Sequence, residues 1–278
     1  MNSLGLGDVA TEPGMNQSAF FQHIPQGEAR VGTTTIPVPV FYHDIASLAA
    51  QFLAPLAKLQ ALLPSPRMHP LRVTPWHGVV NIAAYAYRRC DLGPYNEVAI
   101  AIPFVLDQPS PLFVGTLSPV PPVLQVYVHH LPVTTQLSCD AGIQWANYPK
   151  FVATIACQST DSTVQFTLQD GDLPILTLAG KTGPLRPTPR SRFHPITWRD
   201  GYLLRSEFIA EAHDHYVGKG ADLDLQLGDH PIAQELKALP LGRAIAYQYT
   251  PHYQGILTPV LESLALTTAS AQPLRNNG

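Results

Sequence analysis

Charge is what this chain has least of. Asp, Glu, Lys and Arg make up 13% of its 278 residues, against about 25% in an ordinary globular chain. So little charge solvates a monomer's surface poorly. Two readings fit: a homo-oligomer that hides part of its surface, or a deep β core under a neutral polar skin. With a net charge of −3 and no basic run, the chain is not expected to bind nucleic acid. No apolar run approaches the ~20 residues of a membrane helix, so no membrane partner is expected. The opening "MNSLGLGDVATEPGMNQ" has no basic segment followed by an apolar one and does not read as a secretory signal. The three cysteines, Cys90, Cys139 and Cys157, show no metal-ligand spacing. They read as reduced, mostly buried thiols of a cytoplasmic protein. G-x-S-x-G, G-x-G-x-x-G, P-loop and H-E-x-x-H motifs are all missing, which leaves serine-hydrolase, nucleotide and zinc-protease readings without support.

Proline, by contrast, is plentiful, with 28 residues, about twice the usual ~5%. It punctuates the whole chain, so long helices are not expected. Residues 1–20 and 268–278 read as loose tails around one domain spanning 21–267. "HDIASLAAQFLAPLAKLQALLP" reads as a first helix capped by Asp44, with Ile45, Leu48, Ala49, Phe52 and Leu53 on one face and a break or kink at Pro55. Most of the remainder alternates like strands: "NIAAYAYRR", "EVAIAIPFVL", "PVLQVYVHHLP", "ADLDLQL" and "RAIAYQYTPHYQG". In the second of these, Val98, Ile100 and Ile102 alternate with alanines, and a face of small residues suggests close packing against another layer. Hairpins are predicted around Asp170-Gly171 and Asp200-Gly201. "GDHPIAQELKALPLG" predicts a short helix capped by Asp229, with Pro231 in its first turn and Ile232, Leu236 and Leu239 on or near one face. The pattern is mostly antiparallel β with a few helices, and the absence of regular βα alternation disfavours Rossmann and TIM layouts.

Lysine is scarce, and one stands alone in "GIQWANYPKF" (142–151) with no counter-charge nearby in sequence. A lysine desolvated in an apolar pocket favours its neutral form, and a neutral amine can attack a ketone to form a Schiff base. Trp145, Tyr148, Pro149 and Phe151 would supply such a pocket for Lys150. Local sequence alone fits better a lysine snorkelling to water from a strand end. Glu97 opens a very apolar strand, as an edge residue facing solvent or as an acid/base group in a cavity; again its local sequence favours the plainer role. His213 and His215 alternate on one strand face but have no third ligand, and the adjacent His129 and His130 should face opposite sides, so no metal is expected. "YQYTPHYQG" gathers phenols able to donate protons or orient a substrate, or simply suited to a strand; Tyr253 is the one singled out.

Taken together, "PYNEVAIAIPF", "GIQWANYPKF" and "DLQLGDHPIAQELKALPLGRAIAYQYTPHYQGILTPVLE" resemble the acetoacetate decarboxylase family over roughly residues 32–265. The Tyr-Pro-Lys segment is the most specific part. The resemblance implies a largely antiparallel, cone-shaped β-barrel with peripheral helices, assembled into oligomers. It implies Lys150 as the Schiff-base lysine and Glu97 as the active-site carboxylate, with no cofactor expected. Around them Tyr95, Gln144, Trp145, Tyr148 and Phe151 become candidate substrate contacts. The chain departs from the family pattern at four places. Phe151 stands where those decarboxylases carry a second lysine, and Gly142-Ile143-Gln144 stands for Gly-Arg-Glu. Asn81 or Ile82 stands for a second acidic residue, and only Arg30 lies near the position of an early pocket arginine. The lysine machinery is kept while carboxylate-handling groups change. The expectation is a Schiff-base lyase that decarboxylates an unusual, more apolar β-oxo acid, with Tyr253 as acid/base. Aldolase–dehydratase chemistry on a pyruvate-like oxo acid uses the same imine. A non-catalytic binder of a hydrophobic small molecule is the reading from another class.

Overall fold

The computed structural model describes residues 18–109 and 123–266. The chain opens with a hairpin, β1 (Gly27–Val31) and β2 (Thr34–Val38), and a long strand, β3 (Val40–Pro55), followed by helix α1 (Leu56–Leu62). Next come β4 (Met68–Pro70), β5 (His77–Cys90), β6 (Tyr95–Leu106), β7 (Leu124–His130) and helix α2 (Gln136–Ala146). An antiparallel group follows: β8 (Thr154–Ser159), β9 (Thr163–Asp170) and β10 (Leu173–Lys181). Then come β11 (Arg186–Pro187), β12 (Ser191–Arg199), β13 (Tyr202–Arg205), β14 (Phe208–Ala212) and β15 (Asp214–Lys219). The chain finishes with β16 (Leu223–Leu227), helix α3 (Pro231–Lys237), β17 (Ala244–Leu257) and β18 (Glu262–Ala265).

Strands β17, β3, β5, β6, β7 and β12 neighbour one another in that order, and β14 pairs with both β12 and β17. The ring therefore closes as a seven-stranded barrel. Within it only β7 and β12 run parallel; the other pairings are antiparallel. Strands β16, β10, β9 and β8 make a separate sheet. It packs on the outside of the barrel: Phe166, Leu168, Ile175 and Leu178 share one buried cluster with Leu48, Ile82, Val98, Ile100 and Ile102. The alternation in β6 thus has a different outcome from the one expected. Its Val/Ile face packs outward on the second sheet, while Ala99 and Ala101 line a cavity inside the barrel rather than a tight second layer.

Residues 43–55 are the main departure from the sequence pattern: they form strand, not helix, and helix is confined to α1 after Pro55. Leucine and alanine favour helix locally, but β3 sits between β17 and β5 and is covered on both faces. Ala46, Leu48, Ala50, Phe52 and Ala54 pack outward, while Ile45 and Ala49 turn to the barrel's inner side. A strand buried on both faces loses polar alternation and becomes indistinguishable from a helix by periodicity. Asp44 consequently caps nothing; it meets His252 at 3.0 Å and Arg88 at 3.5 Å. The hairpins at 170–171 and 200–201 form as predicted, with Asp200 and Gly201 both at positive φ (49° and 89°), as a two-residue turn between antiparallel strands requires. α3 forms too, but its cap is His230, whose ring accepts from the Ile232 amide, while Asp229 instead lies 3.3 Å from Lys237. Of the expected N-terminal tail, residues 18–20 are packed: Phe20 joins Phe21, Phe41 and Ile256 in a small cluster. Its remainder, and the expected C-terminal tail, lie outside the described residues. Among the described residues no helix is long and apolar enough to cross a membrane.

His129 and His130 do not face opposite sides. The β6–β7 register slips between Ile100 and Ala101, so Ile100 pairs with His130 and Ala101 with Val128, leaving His129 as the extra residue of a bulge. Both Nε2 atoms reach the same Glu235 oxygen, at 2.8 and 3.0 Å, tying α3 to the barrel. The three ligand atoms lie within 4.8 Å of one another, where a metal ion also could sit. Hydrogen bonds from the two imidazoles hold the Glu235 carboxyl at about 2, below its usual 4.5. A carboxyl lowered on folding contributes stability that is complete above the unfolded value and is lost as pH falls through the folded one. The melting-temperature gap between wild type and Glu235→Gln should therefore shrink from about pH 6 to about pH 3. A gap that stays constant over that range would show that the trio does not act as a charge-assisted clasp.

Candidate active site

Helix α2 sets the site's geometry. Thr135 caps it by accepting from the Ser138 amide. It ends where Asn147 takes the left-handed conformation (φ 51°, ψ 37°) and the Tyr148 amide donates to the Gly142 carbonyl at 3.2 Å. Asparagine tolerates that conformation and Pro149 cannot continue a helix, so the chain leaves extended. The extended segment laces onto residues 131–133: Leu131 donates to Pro149, Val133 to Phe151, and Ala153 to Val133. Val133 in turn bridges to Glu97 on β6. Lys150 is thereby carried beside Glu97, 53 residues away in sequence.

Lys150 Nζ donates to Glu97 Oε2 at 2.8 Å, and the side chains are 7% and 9% exposed. The counter-charge that the local sequence lacked comes from the neighbouring strand. The other carboxylate oxygen, Oε1, accepts from the Tyr87 hydroxyl at 2.9 Å. The ammonium also lies 5.6 Å from the Tyr95 ring and 5.8 Å from the Tyr148 ring, within the range of a cation–π attraction. Gly142 is part of this fit. A Cβ there would come within 2.7 Å of Lys150 Cδ and Cε, so glycine is what lets the lysine stem lie against α2.

Phenols surround the pair. Tyr42 and Tyr95 share a hydrogen bond of 3.2 Å, and Tyr85 stacks on Tyr87 with centroids 5.6 Å apart. Burial pushes the hydroxyls of Tyr42, Tyr85, Tyr87, Tyr95, Tyr148 and Tyr253 above their ordinary value, and the charge of Glu97 adds to it in each. A phenol held protonated in this way is not poised to act as a base. Cys90 is similarly pushed up to about 12 by burial and donates to the Gly93 carbonyl. All three cysteines are free; Cys139 is buried, while Cys90 and Cys157 are only half-buried, less than expected.

A cavity of about 480 Å³ opens from Lys150, Glu97, Tyr87 and Tyr148 along the barrel interior. The sequence-predicted residues divide around it. Lys150, Glu97 and Tyr148 line it, and Tyr95 reaches the lysine through its ring. Tyr253 is packed behind it with Tyr42, Tyr87 and Phe208, and its hydroxyl bonds to Ser47. Gln144 and Arg30 are exposed and meet away from the cavity, where the Gln144 amide donates to the Arg30 carbonyl at 2.9 Å. Trp145 packs on the aromatic cluster outside the lining, and Phe151 stacks on His230 with centroids 6.4 Å apart. His213 is exposed at the bend between β14 and β15, and no third ligand joins it and His215 among the described residues.

Sequence reasoning missed Tyr42, Tyr85, Tyr87 and Arg192, all of which line the cavity. For Tyr85 and Tyr87 a signal existed: "AYAYRR" alternates, and its register brings Tyr85 opposite Glu97. Arg192 carries no such signal. It lies on β12, with its side chain 59% exposed and 3.7 Å from Glu207.

The family model of acetoacetate decarboxylase (ADC) matches residues 23–259. Among solved structures, the acetoacetate decarboxylase of Legionella pneumophila subsp. pneumophila str. Philadelphia 1 is similar with a TM-score of 0.64 at 14% identity, covering 84% of this chain and 89% of that one. Another acetoacetate decarboxylase structure gives 0.56 at 19% identity, with 82% and 89% covered. The enduracididine biosynthesis enzyme MppR, complexed with the condensation product of pyruvate and imidazole 4-carboxaldehyde, gives 0.55 at 11% identity, with 82% and 88% covered. No curated protein matches the chain in sequence. The structural likenesses are of fold, while the family match spans most of the sequence: the chain belongs to the acetoacetate decarboxylase family.

Proposed function

We propose that this protein is a Schiff-base-forming lyase that decarboxylates a β-oxo acid through Lys150. The observation that carries the reading is the Lys150–Glu97 pair, buried at 2.8 Å on the wall of a cavity otherwise lined largely by apolar and phenolic groups. Glu97 is in place to accept a proton from the lysine and free its lone pair. The amine adds to the substrate ketone, and the carbinolamine loses water to give a protonated imine. The bond to the carboxylate then breaks: its electron pair enters the iminium as an enamine and carbon dioxide leaves. Protonation at carbon and hydrolysis by water release the ketone and restore the amine. The Tyr87 hydroxyl holds the second oxygen of Glu97 and fixes its orientation. Arg192 adds positive charge to the cavity lining, suited to drawing in an anionic substrate.

Aldolase–dehydratase chemistry starts from the same imine. It is supported by the similarity to MppR, a structure holding a pyruvate condensation product, and by phenols kept protonated near the pair. The two reactions differ in which bond breaks, and so in whether carbon dioxide is released.

The test is to incubate the protein with acetoacetate, pyruvate and a panel of β-oxo acids, reduce with borohydride and measure intact mass. An adduct is expected in wild type and absent in Lys150→Ala, lighter by one carbon dioxide where decarboxylation has occurred. Absence of any adduct in wild type would overturn the proposal. Gly142→Ala separates positioning from folding. Alanine favours the helix by about 1 kcal/mol, which offsets part of the cost of loosening the buried pair, so a cooperative thermal transition should persist. Trapping should nevertheless fall at least about tenfold, because the lysine is displaced. Unchanged trapping would remove Gly142 from the positioning of Lys150.

A further inference from the structure

Inside the barrel, the side chains that would normally fill a core are small. Ala49 on β3, Ala83 on β5, Ala99 and Ala101 on β6 and Ala246 on β17 all border the cavity. Small barrels are ordinarily filled by their own inward side chains. Here the volume left open is about 480 Å³, within the roughly 300–1,000 Å³ of sites that hold drug-sized molecules. An oxo acid of four carbons occupies little of it.

The cavity also has direction. Glu97, Ala99 and Ala101 are alternate residues of β6, and the four steps from first to last span about 13 Å. At the far end Asn81 of β5 pairs with Ala101, and Gln51 of β3 pairs with Asn81. Asn81 Oδ1 is buried and has no hydrogen-bond partner among the described residues, which is rare for a native buried polar atom. Gln51, Gln248 and Val217, near this end, are exposed to solvent. Lys150 and Glu97, 7% and 9% exposed, are thus at a buried end of an alanine-walled tunnel, and the Asn81 oxygen lies toward the exposed Gln51 and Gln248.

We infer that the tunnel binds the extended aliphatic arm of a β-oxo acid, with the ketone at Lys150 and a hydrogen-bond donor at the arm's far end meeting Asn81. An extended chain advances about 1.1–1.2 Å per bond, so the run from Glu97 to Ala101 fits an arm of about ten atoms. This assignment rests on the lysine reading of the site.

The test compares acetoacetate, 3-oxododecanoate and 12-hydroxy-3-oxododecanoate in borohydride trapping. Wild type should prefer the long acids to acetoacetate at least about tenfold, since even one buried methylene discriminates by about that much. In Ala101→Phe the ratio of long to short should fall by about the same factor. In Asn81→Leu the preference for the hydroxylated acid over the plain one should vanish. Calorimetry of 12-hydroxydodecanoate, which has no ketone, binding to wild type reads the tunnel without the imine. Binding there that Ala101→Phe abolishes, with no adduct in wild type, would keep the tunnel and sink the lyase. An equal response to short and long acids, or no binding of the hydroxy acid to wild type, would overturn the tunnel and leave the lysine reading standing.

Discussion

The site depends on one buried ion pair. Taking a lysine and a glutamate out of water costs several kcal/mol each, and only close contact and further hydrogen bonds offset it. Both are present: Nζ meets Oε2 at 2.8 Å, and Tyr87 satisfies Oε1. The pair cannot be assembled locally. Glu97 comes from near the start of barrel strand β6, and Lys150 from the extended segment after a helix. What registers one against the other is the stretch 131–133, which bonds to both. The left-handed Asn147, Pro149 and the missing side chain of Gly142 each serve that registration. Removing either member of the pair would leave the other as an uncompensated buried charge, so the two positions are coupled energetically as well as chemically.

The barrel holds its cavity open against the tendency of interiors to close-pack. A row of alanines facing inward forgoes contacts that larger side chains would make, and unfilled volume lowers stability. The outer face offsets this. Val98, Ile100 and Ile102 project away from the cavity into a layer built with Phe166, Leu168 and Leu178 of the second sheet, all with at most 2% exposure. One strand therefore performs two tasks through its period of two: its odd residues shape the site and its even residues anchor the fold. This division explains why a chain with so few charges is so rich in alternating strands.

Much of that was legible in the sequence. Strands β5, β6, β9, β10, β16 and β17 announce themselves by alternation, and two hairpins by Asp-Gly turns. Where the reading failed, burial had removed the signal. β3 is covered on both faces, so Leu48, Ala49 and Phe52 present a helical spacing inside a strand. The alanines of β6 read as close packing because sequence does not distinguish a small residue facing a neighbour from one facing empty space. His129 and His130 converge because of a one-residue bulge, which depends on tertiary pairing. At the site, Lys150 and Glu97 were found through a family resemblance, since neither stands out by local chemistry. Arg192 escaped because nothing in "PRSRFHP" shows which side of a barrel wall it occupies.

The geometry also reassigns the positions at which the chain departs from the decarboxylase pattern. Gln144 is exposed and bonded to the Arg30 backbone, Ile143 is exposed, and Phe151 stacks on His230 outside the cavity. None of the three lines the cavity, so the replacement of charged groups there does not alter the cavity wall around Lys150. Asn81 is different: it lines the cavity, and its side-chain oxygen is buried and unpaired among the described residues. A carboxylate at that depth would repel an anionic substrate and carry a further charge out of water. An amide carries no charge, leaves the interior open to a neutral chain and offers a hydrogen bond at its end. On the proposed lysine reading, the character of the substrate is therefore written less in the lysine motif than in the wall beyond it, where alanines set the width and Asn81 sets the polarity of the far end.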